Sequence, residues 1–203
     1  MRSRRLATLI LLTPSALLAA EGSKRTWTFD GESTGQIAKG FTNDVGTWSV
    51  VEVGQGKALA QTAKNANPVF NITLISDTSA KDVDISVEMK AIAGETDQGG
   101  GIVWRAKDAK NYYLARYNPL EDNYRLYKVV GGKRTLLQNA DIAHSDGART
   151  LRVTMSGDHI ECYYDGKKYL EQKDTTFTDD GKIGLWSKAD AQSQFDNLTL
   201  TGK

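Results

Sequence analysis

The chain has one cysteine, two histidines and three prolines among 203 residues. A single thiol excludes an internal disulfide framework, so stability has to come from a packed core. Cys162 lies in the apolar phase of His159-Ile160-Glu161-Cys162-Tyr163-Tyr164, which makes it a buried, inert thiol rather than a nucleophile. The only histidines, His144 and His159, are far apart in sequence and not on a helical pattern, which excludes the paired-histidine site of zinc proteases. Basic and acidic residues nearly cancel, 26 against 25, so there is no basic field for nucleic acid and no such partner is expected. Beyond the first twenty residues no apolar run approaches the length of a membrane-spanning helix. No segment carries a sustained 3.6-residue apolar stripe, and Ile37–Phe41 and Ala140–Ala143 read as a turn or two of helix at most.

The amino terminus is a separate matter. Met1-Arg2-Ser3-Arg4-Arg5 is a positive start, and Leu6 to Ala20 is an apolar run ending in small residues. That is the layout of a secretory signal peptide, with residues 1–22 as the leader and cleavage after Gly22 fitting the small-residue rule. The expected location is periplasmic or extracellular, with no stable membrane span after cleavage. Loss of Arg2, Arg4 and Arg5 leaves a slightly acidic chain.

Residues 23–203 read as strands nearly throughout. Asp82 to Lys90 alternates polar and apolar without a fault, the signature of a half-buried strand. Leu151, Val153 and Met155 repeat the pattern. Further strands are expected at Arg25–Asp30, Thr47–Val53, Gly101–Ala106, Tyr112–Asn118, Tyr124–Val130, His159–Asp165, Lys182–Ser187 and Gln194–Thr201. Turn signals fall between them, among them Gly131-Gly132, Asp146-Gly147, Asp165-Gly166 and Asp180-Gly181. This spacing predicts one all-β domain, a two-sheet antiparallel sandwich of the jelly-roll type.

Several chemistries fail on pattern. Gly31-Glu32-Ser33-Thr34-Gly35 matches G-x-S-x-G, but that motif acts only at a strand-to-helix elbow, and no helix follows. Gly54-Gln55-Gly56 lacks the third glycine of a dinucleotide loop. Glu95-Thr96-Asp97 lacks the second glutamate of a sandwich-type glucanase strand. Asp84 and Glu88 sit about 13 Å apart along one strand, too far for a retaining carboxylate pair.

The segment Gly99 to Arg134 is the richest in chemistry. Read as three antiparallel strands, it places Arg105 on the face of Val103, Arg116 with Tyr112, Leu114 and Asn118, and Arg125 with Tyr127 and Val129. Aligned phases would give one face three arginines beside aromatics, with Glu121 and Asn123 at a loop mouth. Planar donors beside apolar plates suit sugars, which present hydroxyls and apolar ring faces. The opposing reading pairs these arginines with Asp108, Glu121 and Asp122 on a solvated face, because cross-strand register is invisible in sequence. Trp186 is out of phase with Ile183 and Leu185 and is the candidate for stacking on a sugar. Asp30 and Asp196 meet if the first and last strands pair, and could hold a structural calcium.

The strings Gly-Gly-Gly-Ile-Val-Trp-Arg-Ala-Lys-Asp, Asn-Tyr-Tyr-Leu-Ala-Arg and Asn-Tyr-Arg-Leu-Tyr-Lys-Val resemble secreted bacterial concanavalin A-like, laminin-G-like jelly-roll domains. So do Trp27-Thr28-Phe29-Asp30, Gly181 to Trp186 and Phe195-Asp196-Asn197-Leu198. More narrowly, the chain is similar to the 3-keto-disaccharide hydrolase domain family. That resemblance implies a sandwich with a concave, sugar-facing sheet and, in some members, metal-assisted cleavage or hydration of 3-keto-glucosides. It transfers no catalytic residue, because the opening loop, Phe29-Asp30-Gly31-Glu32, departs from the family pattern and the chain is poor in histidine. Three expectations follow. One is a carbohydrate-binding domain using Arg105, Arg116, Asn118, Glu121, Asn123, Arg125 and Trp186. Another is a 3-keto-glycoside hydrolase or lyase with Glu121 or another carboxylate of the concave sheet as acid/base. The last is a non-catalytic envelope interaction domain.

Overall fold

The computed structural model describes residues 23–202. The leader assigned to residues 1–22 lies outside them. Fourteen strands make up the regular structure of the described residues: β1 (Ser23–Trp27), β2 (Trp48–Val53), β3 (Gly56–Gln61), β4 (Phe70–Leu74), β5 (Val83–Ala93), β6 (Gly100–Asp108), β7 (Asn111–Asn118), β8 (Asn123–Val130), β9 (Lys133–Asp141), β10 (Arg149–Ser156), β11 (His159–Tyr164), β12 (Lys167–Lys173), β13 (Lys182–Lys188) and β14 (Gln192–Gly202). They form two antiparallel sheets. The eight-stranded sheet runs β12-β11-β10-β5-β14-β3-β2, with β1 also on β14. The six-stranded sheet runs β4-β13-β6-β7-β8-β9. This is the all-β sandwich expected from the alternation.

Alternation sets the core. Ile85, Val87 and Met89 of β5 and Leu151, Val153 and Met155 of β10 point inward, against Ile102, Trp104, Tyr113, Ala115, Tyr117 and Leu126 of the smaller sheet. Each such aliphatic side chain contributes about 1.5–3 kcal/mol when fully buried. Trp104 stacks on Tyr113 at 5.6 Å, and Tyr117 lies 4.8 Å from Tyr164. Cys162 is fully buried in this core, and burial pushes its thiol pKa far up, so it stays a thiol. Asp165-Gly166 and Gly131-Gly132 take positive φ at both positions, the mirror-image turn that fits the twist of a hairpin.

The sequence reading needs four corrections. Ala140 belongs to strand β9, not to a helix, and Ile37–Phe41 is a run of turns ending in an isolated bridge to Ile75. Strands β3 and β4 carry Gly-Lys-Ala-Leu-Ala-Gln and Phe-Asn-Ile-Thr-Leu, buried on both faces, so no alternation marks them. Strand β1 ends at Trp27 because Phe29 turns to φ 61°.

The six-stranded sheet has a second apolar face, turned away from the sandwich core. Ile72, Leu74, Val103, Tyr112, Leu114, Tyr127, Val129 and Trp186 pack together there. The sheet curls around them. Its edge strands β4 and β9 would stand about 24 Å apart if flat. Yet the Arg134 guanidinium of β9 lies 5.2 Å from the Phe70 ring of β4. Glycines at the centre allow the bend: a Cβ on Gly101 would sit 2.2 Å from the Ala115 carbonyl oxygen, and one on Gly184 2.1 Å from that of Thr73. Gly101→Ala is therefore expected to lower stability by at least about 1–3 kcal/mol, read from the denaturation midpoint.

The loop after β12 is tied to the smaller sheet through Asp174. Its carboxylate accepts from the Tyr113 hydroxyl at 2.7 Å, the Lys128 ammonium at 2.8 Å and the Thr176 amide at 2.8 Å. Partial burial raises its pKa, but these donors outweigh burial and hold it at about 2, against an ordinary 3.8. A carboxylate depressed on folding stabilises the protein above its unfolded pKa, and that stabilisation is lost as pH falls through the folded value. Asp174→Asn is expected to flatten the acid limb of the stability profile between pH 4 and 2. An unchanged limb in urea titrations would show that Asp174 carries none of it.

Candidate functional site

The register aligns a grid of side chains on the curled outer face. Trp186 pairs with Gly101, Gly101 with Arg116, Arg116 with Arg125 and Arg125 with Asn139, one rung across five strands. On the next rung Asn118 pairs with Asn123 and Asn123 with Asp141. Side chains directly opposite share a face, so Arg116, Arg125, Asn118 and Asn123 stand together as their strand phases predict.

Arg116 is the centre. It is fully buried, and its Nη2 donates to Glu121 Oε2 at 2.7 Å and to Asn123 Oδ1 at 3.1 Å. Glu121 Oε2 also accepts from Arg125 Nη1 at 3.0 Å and from Asn123 Nδ2 at 3.2 Å. Arg116 Nη1 lies 3.7 Å from Asp97 Oδ2, and Lys188 Nζ lies 3.5 Å from the same oxygen. Asp97 Oδ1 accepts from the Gly99 amide at 2.7 Å and from Asn118 Nδ2 at 3.2 Å. Partial burial raises the Glu121 pKa, but Arg116, Asn123 and Arg125 outweigh it and hold the carboxyl below its ordinary range.

Two buried atoms of this network, Asp97 Oδ2 and Arg116 Nε, have no hydrogen-bond partner. The exposed rim consists of Glu121 and Arg125, whose side chains are 36% and 33% exposed. Arg116, Asn118 and Asn123 lie beneath as the framework that aims them.

The loop from Ala93 to Gly99 delivers Asp97, and it is fixed from outside. The Asp190 carboxylate accepts from the amides of Glu95, Thr96 and Asp97 at 2.7, 3.1 and 3.1 Å. Gly94 holds φ 147°, and a Cβ there would strike the Asp97 carbonyl oxygen at 1.9 Å. Asp97 had only been read as part of a failed glucanase string. Lys188 and Arg134 were likewise not singled out, though Arg134 follows from strand phase, opposite Val129.

Of the expected site residues, Arg105 is elsewhere and Trp186 is covered. The ladder from β6 to β7 shifts register after Trp104, and Arg105 takes φ 46°. The bulge turns its side chain away from the face of Val103. There Nε donates to the Lys81 carbonyl, Nη1 to Phe177 and Nη2 to Gly157, each at 2.7 Å. Arg105 thus closes the far end of the sandwich rather than joining Arg116. Trp186 is on the expected face but fully buried, with its Nε1 donating to the Tyr112 hydroxyl at 3.1 Å. Phe70 and Arg134 cover its ring, so no face is free for a sugar.

The first and last strands do pair, Trp27 opposite Leu198. Asp30 accepts from the Lys57 amide at 3.0 Å, and Asp196 from the Asn197 amide at 2.7 Å. Burial raises the Asp196 pKa, and Asp30 and Glu88 raise it further. On the outer face of the larger sheet, His159, Glu161 and Glu171 form a metal-type cluster, but Lys168 already bridges its two carboxylates.

The described residues thus form an antiparallel jelly-roll sandwich whose smaller sheet bears a polar site on a concave face. Among solved structures the chain is similar to a carbohydrate-binding module, CBM66, from Bacillus subtilis. The TM-score is 0.70 at 24% identity, covering 80% of this chain and 96% of that one. It is also similar to a Bacillus subtilis protein of unknown function with a galectin-like fold, TM-score 0.67 at 12% identity, covering 90% and 97%. A putative glycosyl hydrolase from Parabacteroides distasonis gives TM-score 0.58 at 11% identity, covering 88% and 94%. By sequence the chain is 25% identical over 165 residues to the levanase of Bacillus subtilis, covering 79% of this chain and 22% of that protein. It therefore spans about a fifth of that relative's length. No family model matches the chain.

Arg105 and Arg116 can be separated by experiment. Arg105→Met leaves three carbonyls without their donor and is expected to cost about 1.5–3 kcal/mol or more of stability. Ligand affinity should be unchanged. Loss of affinity in the folded variant would return Arg105 to the site.

Proposed function

We propose that this protein is a carbohydrate-binding domain whose ligand seats on the outer face of the six-stranded sheet, over Glu121 and Arg125. One observation carries the reading. A fully buried arginine, Arg116, lies against a fully buried aspartate on the outer face of the sheet, and with Arg125 it holds the partly exposed Glu121 carboxylate between two guanidinium groups. A buried ion network is a poor source of stability compared with apolar packing of similar volume. Its retention on a concave face fits a binding role, where aligned donors and acceptors meet neighbouring hydroxyls. The similarities to a carbohydrate-binding module and to part of a levanase support the same ligand class, and make levan-type fructan the neutral glycan to try first. The positive start and apolar run of residues 1–20 support export to the periplasm or beyond.

The enzyme reading, a 3-keto-glycoside hydrolase or lyase with Glu121 as acid/base, gains less from the geometry. A general acid needs a raised pKa, and Glu121 is held ionised by the groups around it. Asn123 and the two guanidiniums fix that carboxylate as an acceptor.

Glu121→Gln keeps the shape and removes the charge that both arginines face. Glycan affinity is expected to fall at least tenfold, about 1.4 kcal/mol, in calorimetric titration, while the fold is retained. Undiminished binding by Glu121→Gln and by Arg125→Gln would move the ligand away from this face. Saturation-transfer NMR with a 3-keto-disaccharide tests the enzyme reading at once: new product resonances that vanish in Glu121→Gln would establish it.

A further inference from the structure

Arg134 has no place in the network described so far. It stands on β9 opposite Val129, and its guanidinium lies near three rings: Tyr127 at 4.4 Å, Phe70 at 5.2 Å and Trp186 at 5.6 Å. Among the described residues no carboxylate lies within ion-pair distance of it, and its Nη1 is buried with no hydrogen-bond partner. The carboxylates of the face are all engaged. Glu121 serves Arg116 and Arg125, Asp97 lies between Arg116 and Lys188, and Asp141 accepts from Asn139. Among the described residues Arg116, Arg125 and Lys188 each have a carboxylate within ion-pair distance, and Arg134 is the cation of this face that has none.

The rings hold that cation without neutralising it. Cation–π attraction of this kind steadies the group and supplies no counter-charge. Arg134 is partly buried, so an anion arriving on its open side meets less screening than at a solvated lysine. With Nη1 buried, the open edge of the guanidinium is the one carrying Nε and Nη2, a planar pair of donors that matches the two oxygens of a carboxylate. A single spare charge matches a monoanion better than a phosphate monoester, which carries about −1.5 to −2 near neutrality.

We propose that the glycan bound on this face carries a carboxylate, as a hexuronic acid residue does, and that Arg134 receives that carboxylate while Glu121 and Arg125 engage the hydroxyls. The proposal rests on the carbohydrate reading above and narrows it to acidic sugars.

The test is calorimetric titration of the protein with an oligogalacturonide, its methyl ester, a levan-type fructo-oligosaccharide and a hexose phosphate. The acid is expected to bind at least tenfold more tightly than the ester, with that ratio shrinking as salt is raised. Arg134→Gln keeps a planar cap over the rings and should bring the ratio to about one by weakening binding of the acid. Arg134→Lys, which keeps the charge but loses the fork, should retain part of the preference. Equal binding of acid and ester overturns the proposal and leaves the carbohydrate reading standing. So does tighter binding of the fructan or the hexose phosphate than of the acid. Silence toward every glycan overturns both.

Discussion

The six-stranded sheet has to curl, and the site exists because it does. Its two faces are both apolar, which a flat sheet at the surface of a sandwich cannot bury. The inner face is covered by the larger sheet. The outer one can be covered only by the sheet's own edges, brought together over the middle. Gly101 and Gly184 remove the side chains that would obstruct the bend, and neighbouring backbone fills their place. Once β4 and β9 approach, the rings of Phe70, Tyr112, Tyr127 and Trp186 close on one another as a small second core. The polar rungs lie at the other end of the same strands.

That division explains why charge and aromatic side chains are neighbours without being mixed. Along β7 and β8 the outer face runs from Tyr112, Leu114, Tyr127 and Val129 at one end to Arg116, Asn118, Arg125 and Asn123 at the other. Arg116 sits at the junction. Its charge is removed from water, so the interactions with Glu121 and Asp97 are stronger than at a surface, and leaving either one unmet costs more. The framework is therefore rigid where it is buried. Only its outer members, Glu121 and Arg125, keep the exposure that a ligand needs.

Fold class was legible because alternation on β5 and β10 is a direct image of one buried face and one wet face. Strands buried on both sides, β3 and β4, leave no such image. The grouping of Arg116, Asn118, Glu121, Asn123 and Arg125 was legible for a related reason. Two strands joined by a short turn have little freedom of register, and strand phase then fixes the face. Arg105 broke the rule because a bulge adds one residue to the count, and nothing in Val-Trp-Arg-Ala announces a bulge. Trp186 had the right phase but the wrong exposure. Whether an outward ring is free or covered depends on curvature, which is a property of six strands together and not of one.

Asp97 marks the remaining limit. Its carboxylate reaches Arg116 only because a loop folds back over the sheet, and that loop is held by Asp190, ninety-three residues away in sequence. Partners at such separation carry no local signal. What can be read locally is the cost of the arrangement: Gly94, Gly99 and Gly101 all tolerate approaches that a side chain would block. Glycines clustered around a segment of arginines and asparagines are therefore informative. They mark where backbone has been cleared so that charged side chains can be packed against it.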